Sequence, residues 1–443
     1  MKSWARLISV LLVVALILAA CSSGKNSGSG SESSSGGSGT KEPTGGNGGQ
    51  EQSGGSVIEL DYWVPFSGSD GEFMEAMVKA FNESQSEIKV NFMNNNWDNY
   101  YPKLRTALTS NAAPDVAVAH VSELPSLVPT GKLEALDELA AEAGLDWSSF
   151  GQNQEQAVIV DGKHYAVPLD THAVVMFYNN QYLSEAGLLN EDGSIKMEPG
   201  AEGFTNMLRT LKSTLPSDVT PMIIGSNNVF TYWIWYALVH QQGGTIMADG
   251  KPTIDTPESR KAMELIRTWL DEGLILPDIG DQSYDIFKTG KAAVTFTGVW
   301  ATGNFETEPT LDFTAAPFPQ LFDQPAAWGD SHTIVVPVQS DKNKQLAAVK
   351  FADWLASNGH LWAKAGHVPV KPSVLESEEF KALPYRADYA DVMDVVKYAP
   401  YSDKIGALRD TVLESLVEIN YGIVSIEEGL AKAQKNADSI LSK

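Results

Sequence analysis

The sequence predicts an α/β protein with at least two lobes. Its 443 residues exceed the roughly 250–300 residues at which a single hydrophobic core stops growing. From residue 57 onward, short β-like segments alternate with amphipathic helical segments. This alternation is typical of a largely parallel sheet covered by helices. Apolar residues make up 43% of the chain, so sizeable cores can form.

The first part of the body shows the alternation most clearly. The predicted elements are, in order, strand 57–63, helix 71–84, strand 88–93, helix 98–110 and strand 115–119. Asp98 is a favourable N-cap for the second helix, and Pro114 ends that helix and prepares the next strand. Because strands and helices follow one another here without a hairpin signal, we expect these three strands to be parallel.

Capping signals mark two later helices. Thr256 followed by Pro257 predicts a helix that begins with a cap and a first-turn proline, and Gly273 ends it. Ser425 and Glu428 have the spacing of a capping box at the start of the last helix. The C-terminal third is therefore expected to be mostly helical.

The first twenty residues read as a secretion signal. Lys2 and Arg6 precede a charge-free run of fourteen residues at 7–20. A helix of that length spans only about 21 Å, short of the roughly 30 Å of a bilayer core. The sequence Leu18-Ala19-Ala20-Cys21 resembles the lipobox of bacterial lipoproteins, which predicts cleavage before Cys21 and lipidation of its sulfur.

Residues 21–56 predict a flexible tether between that anchor and a globular body. They contain twelve glycines, eleven serines and no aromatic residue, so they cannot bury a core. A Gly/Ser chain of this length reaches roughly 33 Å. Cys21 is the only cysteine in the chain, which excludes a disulfide framework and a cysteine metal cluster. We expect the body to lie on the outer face of the bacterial cell membrane.

The charge excludes a nucleic-acid partner. The chain has 56 acidic and 32 basic residues, a formal net charge of −24, and it shows no basic stripe of the kind that binds phosphates. It also contains no Walker loop, zinc-protease motif or serine-hydrolase elbow. Three polar stretches lack full metal-ligand spacing and predict ordinary loops and helix ends: His120–Glu123, Asp278–Asp285 and Asn190–Ser194. No metal and no cofactor is predicted.

Aromatic residues beside polar ones are the positive functional signal. They occur in four stretches: Tyr62–Phe66, Tyr232–Tyr236, Gly298–Asn304 and Trp328–His332. An aromatic ring with neighbouring Asp, His and Asn suits a sugar, whose C–H face stacks on the ring and whose hydroxyls need polar partners. Trp63, Trp233 and Trp300 are the preferred ligand contacts. The tryptophans with helical apolar spacing are expected in cores: Trp235, Trp269, Trp354 and Trp362.

Eight fragments in order resemble the family 1 extracellular solute-binding proteins of bacterial ABC importers, the branch of maltose-binding protein. The fragments are Leu60–Trp63, Tyr101–Val116, Asp161–Pro168, Phe177–Asn179 with Ala186–Leu188, Gln242–Gly244, Phe287–Ala293, Gly298–Trp300 and Val368–Val370. The resemblance covers nearly all of residues 57–443. The chain departs from it at Asn180, where a Lys or Arg is common, and at 190–203, where the usual segment is replaced.

The resemblance implies a two-lobed, periplasmic-binding-protein-like fold with a ligand cleft between the lobes and hinge crossovers. Lobe 1 would combine 57–168 with 315–368, and lobe 2 would combine 169–314 with 369–443. Together with the aromatic stretches, it makes these residues the candidate ligand contacts: Trp63, Phe66, His120, Asp170, His172, Tyr232, Trp233, Trp300, Asn304, Trp328, His332 and Tyr401.

The predicted function is that of a lipid-anchored receptor rather than an enzyme. It is expected to act as a monomer, to capture a carbohydrate, in the first place an oligosaccharide, by hinge closure, and to deliver it to the permease subunits of an ABC importer. Two alternatives stay open from the residues alone. One is a secreted carbohydrate hydrolase, since two carboxylates need only meet across a cleft at roughly 5–10 Å. The other is a receptor of the same fold for a non-sugar solute.

Overall fold

The computed structural model describes residues 57–66, 70–110 and 112–442. The predicted secretion signal, the lipidation site at Cys21 and the tether lie outside the described residues. Within that part of the chain, no helix combines the length and the apolar character needed to cross a bilayer. Strands and helices alternate over most of it, which confirms the α/β class.

A five-stranded sheet forms the first layer of the body. Its strands lie in the spatial order Ile88–Asn94, Ile58–Val64, Val116–His120, His332–Val335 and Val167–Pro168. The first three are parallel, as the sequence predicts. His332–Val335, from a distant part of the chain, pairs antiparallel with Val116–His120, and Val167–Pro168 pairs antiparallel with His332–Val335. The sheet is therefore mixed, and its last two strands have no signal in the local sequence.

Helices cover both faces of this sheet and bury two apolar clusters. They are Asp70–Ser84, Trp97–Thr109, Asp137–Ala143 and Lys342–Ser357. One cluster includes Leu60, Val118 and Phe351, and the other includes Leu104 and Ala117. The five elements predicted for residues 57–119 are confirmed, with each end within one residue of its prediction. Buried residues alternate with more exposed ones along the first two strands, and the third strand is a short, fully buried apolar run.

A second sheet is organised around one long strand, Asp170–Asn179, whose ten residues are all buried. The spatial order is Val396–Lys397, Ala327–Asp330, Asp170–Asn179, Ala292–Gly298 and Thr220–Ile223, and the long strand also pairs with Phe313–Ala316 and Val368–Pro369. Its neighbours run antiparallel to it. A strand buried on both faces must be apolar along most of its length, and residues 173–178 satisfy this requirement.

The longer described helices around the second sheet are Asn180–Glu185, Gly200–Thr214, Val229–Gln241, Pro257–Asp271, Ser283–Lys288, Ile405–Asn420 and Ile426–Leu441. The two predicted N-termini are confirmed, because the Thr256 hydroxyl accepts the Ser259 amide hydrogen and Ser425 forms a reciprocal capping box with Glu428. Trp235 and Trp269 are fully buried in this core, as predicted. Trp354 is only half-buried, on the other core.

The remaining described elements are short. The short helices are Val121–Glu123, Leu124–Leu127, Val128–Thr130, Trp147–Ser149, Gln152–Ala157, Val299–Ala301, Thr302–Phe305, Gly359–Trp362, Ala363–Ala365, Pro372–Leu375, Glu378–Lys381, Arg386–Tyr389 and Val392–Val395. Two small hairpins pair Ile159–Val160 with Lys163–His164 and Met247–Ala248 with Lys251–Pro252.

The chain passes between the two sheets at neighbouring points. Pro168 ends a strand of the first sheet, and Asp170 begins the long strand of the second. Asp330 ends a strand of the second sheet, and His332 begins one of the first. The predicted boundary at residue 315 falls within strand 313–316. This strand and strand 327–330 both pair with the second sheet, so the chain returns to the first sheet only after residue 330. The division of the chain into lobes at given residues stays a prediction.

Candidate functional site

Four side chains meet where the chain crosses between the sheets, and we call them the histidine cluster: Asp170, His172, His332 and His367. Their exposed fractions are 0%, 4%, 6% and 1%. Antiparallel pairing positions them, because His172 lies opposite Asp330, His332 lies opposite His120, and Asp170 lies opposite Pro369. Asp170 and His367, which are 197 positions apart, meet because the chain passes between the two sheets at neighbouring points.

Asp170 is the acceptor at the centre of the histidine cluster. One carboxylate oxygen accepts from the His332 amide at 3.0 Å and from His172 Nδ1 at 3.1 Å. The other accepts from His332 Nδ1 at 2.6 Å and from the indole N–H of Trp362 at 2.6 Å. Each imidazole is thereby oriented through Nδ1, which leaves its Nε2 for other partners.

The charge of the cluster follows from these contacts. Burial by itself raises the pKa of the Asp170 carboxyl, but the adjacent His332 and His367 outweigh it and hold the pKa well below its usual range. Burial lowers the pKa of His332 to about 4 in spite of Asp170. At neutral pH, Asp170 is a carboxylate and His332 is a neutral imidazole with a lone pair on Nε2.

His367 is held differently from the other two imidazoles. Its Nε2 lies 3.1 Å from the carboxylate of Asp70, at the start of helix 70–84. Its Nδ1 lies 3.3 Å from Asp170 and has no hydrogen-bond partner among the residues that the structure describes. The ring also stacks on Trp362, with centroids 4.4 Å apart. Carboxylates thus lie on both sides of this ring, and they raise its pKa against the opposing effect of burial.

His120 lies against the cluster, with its ring centroid 4.4 Å from that of His332. The Tyr101 hydroxyl accepts the His120 amide hydrogen at 3.0 Å and lies 2.5 Å from its Nδ1. A hydroxyl that accepts one hydrogen donates its own to Nδ1, which places the proton of a neutral His120 on Nε2. Burial lowers the pKa of His120 and keeps it neutral. His120 is therefore a hydrogen-bond donor where His332 is an acceptor.

Three half-buried tryptophans form a second group, which we call the aromatic box: Trp233, Trp300 and Trp328. Trp233 stacks on Trp328 with centroids 3.9 Å apart and an interplanar angle of 18°. Trp300 meets Trp233 edge-on at 5.8 Å and donates its indole hydrogen to the Tyr284 hydroxyl at 2.9 Å. The three rings therefore present both a flat face and an edge.

A glycine allows Trp300 to take this position. The indole folds back over the backbone of Gly298, and a Cβ atom at that residue would lie 2.2 Å from the ring. The turn Val299–Ala301 that follows strand 292–298 directs the ring there. The Gly-x-Trp fragment is thus explained by close approach of a side chain to the backbone.

The aromatic box adjoins the histidine cluster. The His172 ring lies 5.8 Å from that of Trp300 and 6.4 Å from that of Trp328. Gly366, which precedes His367 and has φ +118°, lies close to the backbone that precedes Trp300. A Cβ atom at Gly366 would lie 2.0 Å from the carbonyl oxygen of Val299. Aromatic faces and oriented imidazoles therefore form one continuous surface.

Of the predicted ligand contacts, eight belong to this surface: Phe66, His120, Asp170, His172, Trp233, Trp300, Trp328 and His332. Phe66 joins it through the rings of His332 and Trp362, at 5.0 and 4.9 Å. The ligand-contact role of all twelve residues stays a prediction.

The other four predicted contacts lie apart from these two groups. Trp63 packs under Lys103, whose Nζ is 4.3 Å from the ring. Tyr232 is buried against Trp235 and Tyr236. Asn304 accepts a hydrogen bond from Lys288, and Tyr401 is 54% exposed.

Sequence reasoning missed His367, Trp362, Tyr101 and Asp70. Trp362 was assigned to a core, which is correct, but its indole hydrogen also bonds to Asp170, 192 positions away. One signal could have found His367. The chain has only seven histidines, and His367, like His120 and His332, adjoins a short buried strand.

This surface combines aromatic rings with oriented polar groups. Stacked rings supply apolar faces, and the imidazoles supply oriented donors and acceptors. The fold and this site together define a solute-binding protein. Comparison with known proteins gives the family: residues 67–360 match the model of the bacterial extracellular solute-binding proteins, and the chain belongs to that family. It is a binding protein and no enzyme, so the alternative of a secreted hydrolase is wrong.

Relatives and solved structures agree with this membership. The chain is 27% identical over 269 residues to the diacetylchitobiose-binding protein DasA of Streptomyces coelicolor, covering 57% of this chain and 58% of that protein. It is 24% identical to the arabinooligosaccharide-binding protein of Bacillus subtilis, covering 86% and 83%. The GacH receptor of Streptomyces glaucescens has the same fold, with a TM-score of 0.76 at 19% identity over 87% of this chain and 99% of that one. The two-lobed binding-protein fold is confirmed.

Proposed function

We propose that the protein captures a carbohydrate, in the first place an oligosaccharide, between the aromatic box and the histidine cluster. The stacked pair Trp233 and Trp328, at 3.9 Å, carries this proposal. A sugar presents flat C–H faces that pack on such rings, whereas a compact inorganic ion has no apolar surface that could do so. Both side chains are half-buried, so part of each remains open to solvent.

The polar half of the site supports a ligand with many hydroxyl groups. The Nε2 atom of His120 is a donor, and that of His332 is an acceptor, because Tyr101 and Asp170 fix the opposite nitrogens. A sugar hydroxyl both donates and accepts, so it satisfies such a pair. A solute that lacked the hydroxyl would leave a buried polar atom unpaired, at a cost of about 1–3 kcal/mol.

The relatives also support an oligosaccharide ligand. The names of two of them specify diacetylchitobiose and arabinooligosaccharides. The GacH receptor was solved in complex with acarbose and an acarbose homologue. These ligands are oligosaccharides or their analogues, which favours that class for this chain.

Capture is proposed to close the two lobes around the solute. A solute that touches groups from both sheets binds the closed state better than the open one, and it shifts the equilibrium by that difference in affinity. The cluster is drawn from both sheets, since His332 begins a strand of the first and His172 lies in a strand of the second. The closed form would then dock on the permease subunits of an ABC importer, with the receptor acting as a monomer.

A ligand titration tests the sugar proposal. Titration with maltotriose, diacetylchitobiose and an arabino-oligosaccharide should change the tryptophan fluorescence saturably for at least one sugar. The same sugar at 100 times its Kd should raise the free energy of unfolding by about 2.7 kcal/mol, seen as a higher Tm. A broad oligosaccharide panel without any response, together with binding of a polyamine or another non-sugar solute, would refute the sugar class.

The lipid anchor is part of the proposal and has its own test. The lipobox-like sequence before Cys21 supports it. In bacterial cells, the wild-type chain should sediment with membranes and incorporate a labelled fatty acid, whereas Cys21→Ser should do neither. Ser22→Ala is the matched control, and it should behave like the wild type. Labelling that persists in Cys21→Ser would exclude this cysteine as the site.

A further inference from the structure

Three imidazoles and one carboxylate converge at the crossovers in a way that solute binding alone does not require. In the histidine cluster, Asp170, His172, His332 and His367 can each offer one ligand atom, and all four atoms lie within 4.8 Å of one another. All four side chains are at least nine-tenths buried. Three imidazoles confined with one carboxylate are costly to bury unless their polar atoms are satisfied.

One polar atom in the cluster is not satisfied. His367 Nδ1 is buried and has no hydrogen-bond partner among the residues that the structure describes, although it lies 3.3 Å from Asp170. The other nitrogen of the same ring faces Asp70 at 3.1 Å. A histidine that binds a metal through one nitrogen characteristically gives its other N–H to a carboxylate, and His367 has this arrangement.

Asp170 is also prepared as a ligand. Its oxygens accept from the Trp362 indole N–H at 2.6 Å and from the His332 amide at 3.0 Å. Carboxylates that bind a metal are themselves held by such hydrogen bonds. In the metal-free state, the Nδ1–H groups of His172 and His332 donate hydrogen bonds to Asp170. A bound cation would replace these protons.

We propose that the histidine cluster binds one divalent transition-metal ion, in the first place zinc. Imidazole nitrogen with one carboxylate oxygen is a donor set of zinc, whereas calcium and magnesium require oxygen ligands. Zinc bonds of about 2.0–2.1 Å set tetrahedral ligands roughly 3.3 Å apart, so the four groups close inward when the ion binds. The proposal does not rest on sugar binding, and either can fail alone.

The ion would also enlarge what the site can bind. The cluster adjoins the aromatic box through His172, whose ring is 5.8 Å from Trp300. An ion at that position can accept an oxygen atom of a solute as a further ligand.

Cobalt titration of the full chain tests the proposal. After treatment with a chelator and its removal, addition of Co²⁺ should produce the visible absorption bands of a four-coordinate site, saturating at one ion per chain. One equivalent of Zn²⁺ should abolish the bands and raise the Tm in the absence of any sugar. No bands at saturating Co²⁺ and no rise in Tm with Zn²⁺ would overturn the proposal.

Matched variants locate the ion. His172→Gln and His332→Gln should lose the Co²⁺ bands, whereas His360→Gln, outside the cluster, should keep them. Asp70→Asn, which removes the carboxylate behind His367, should weaken the affinity roughly 10–100-fold. Circular dichroism establishes that each variant is folded. Bands that persist in both cluster variants would exclude the site.

Zinc X-ray absorption on the wild-type protein gives a decision even if the variants do not fold. The spectrum should show nitrogen and oxygen ligands with scattering from at least two imidazoles. Fewer than two would overturn the proposal.

Discussion

The histidine cluster and the aromatic box adjoin each other but are built on different principles. The cluster residues are buried, and the Asp170 carboxylate accepts hydrogen bonds from His172 and His332 across two sheets. The box residues are half-buried and meet mainly by ring contacts. We therefore expect the cluster to contribute to both folding and binding, whereas the box residues are partly open to solvent. Substitutions should separate the two contributions.

Asp170→Ala should have the largest effect. It removes the acceptor of Trp362, His172 and His332 at once and leaves their donors buried. Loss of one partner from such a buried network costs about 3–5 kcal/mol of unfolding free energy, measured by urea denaturation. Asp218→Ala, at an exposed ion pair with Lys291, is the control and should cost much less. An equally small loss of unfolding free energy for Asp170→Ala would mean that the histidine cluster does not stabilise the fold.

Trp300→Ala should affect binding more than folding. Removing the ring takes away an edge of the box and its contact with His172, so sugar affinity should fall at least tenfold, or about 1.4 kcal/mol. Trp147→Ala is the matched control, because Trp147 is also half-buried and stacks on His164 away from the site. Both variants should lose comparable stability in thermal denaturation, and only the first should lose affinity. Unchanged affinity in Trp300→Ala would remove this ring from the site.

Gly298→Ala should disturb the box without removing any of its atoms. The new methyl group would meet the Trp300 ring at 2.2 Å, so the ring must move, at a cost of about 1–3 kcal/mol. Sugar affinity in calorimetry should fall, and the tryptophan emission of the free protein should shift. Gly406→Ala, where a Cβ atom meets nothing within 4 Å, should leave both unchanged. Equal behaviour of the two variants would contradict the close-approach explanation.

Tyr401→Ala should have the smallest effect. The side chain is 54% exposed and lies apart from both groups, so neither unfolding free energy nor sugar affinity should change by more than about 0.5 kcal/mol. A larger loss of affinity, measured by the same calorimetry, would place Tyr401 on the solute after all.

Elements governed by near neighbours in the chain were predictable. The Thr256 cap, the Ser425 capping box and the first three strands depend on contacts within a few residues or on the period of apolar side chains. Fragment order predicted the family, and the structure brings three of the predicted contacts, Asp170, His172 and Trp300, close together. The mixed sheets were not predicted, because antiparallel partners such as His332–Val335 come from distant parts of the chain.

The sequence alone determined which residues could take part: seven histidines, aromatic residues beside polar ones, and a glycine two residues before Trp300. Only the tertiary structure decided which of them meet. Tyr232 and Trp233 are adjacent in the chain, yet the first is buried in a core and the second stacks on Trp328, because a helix turns consecutive side chains to different faces. His367 reaches Asp170 because the chain crosses between two sheets at neighbouring points, and strand register over such distances depends on the whole fold.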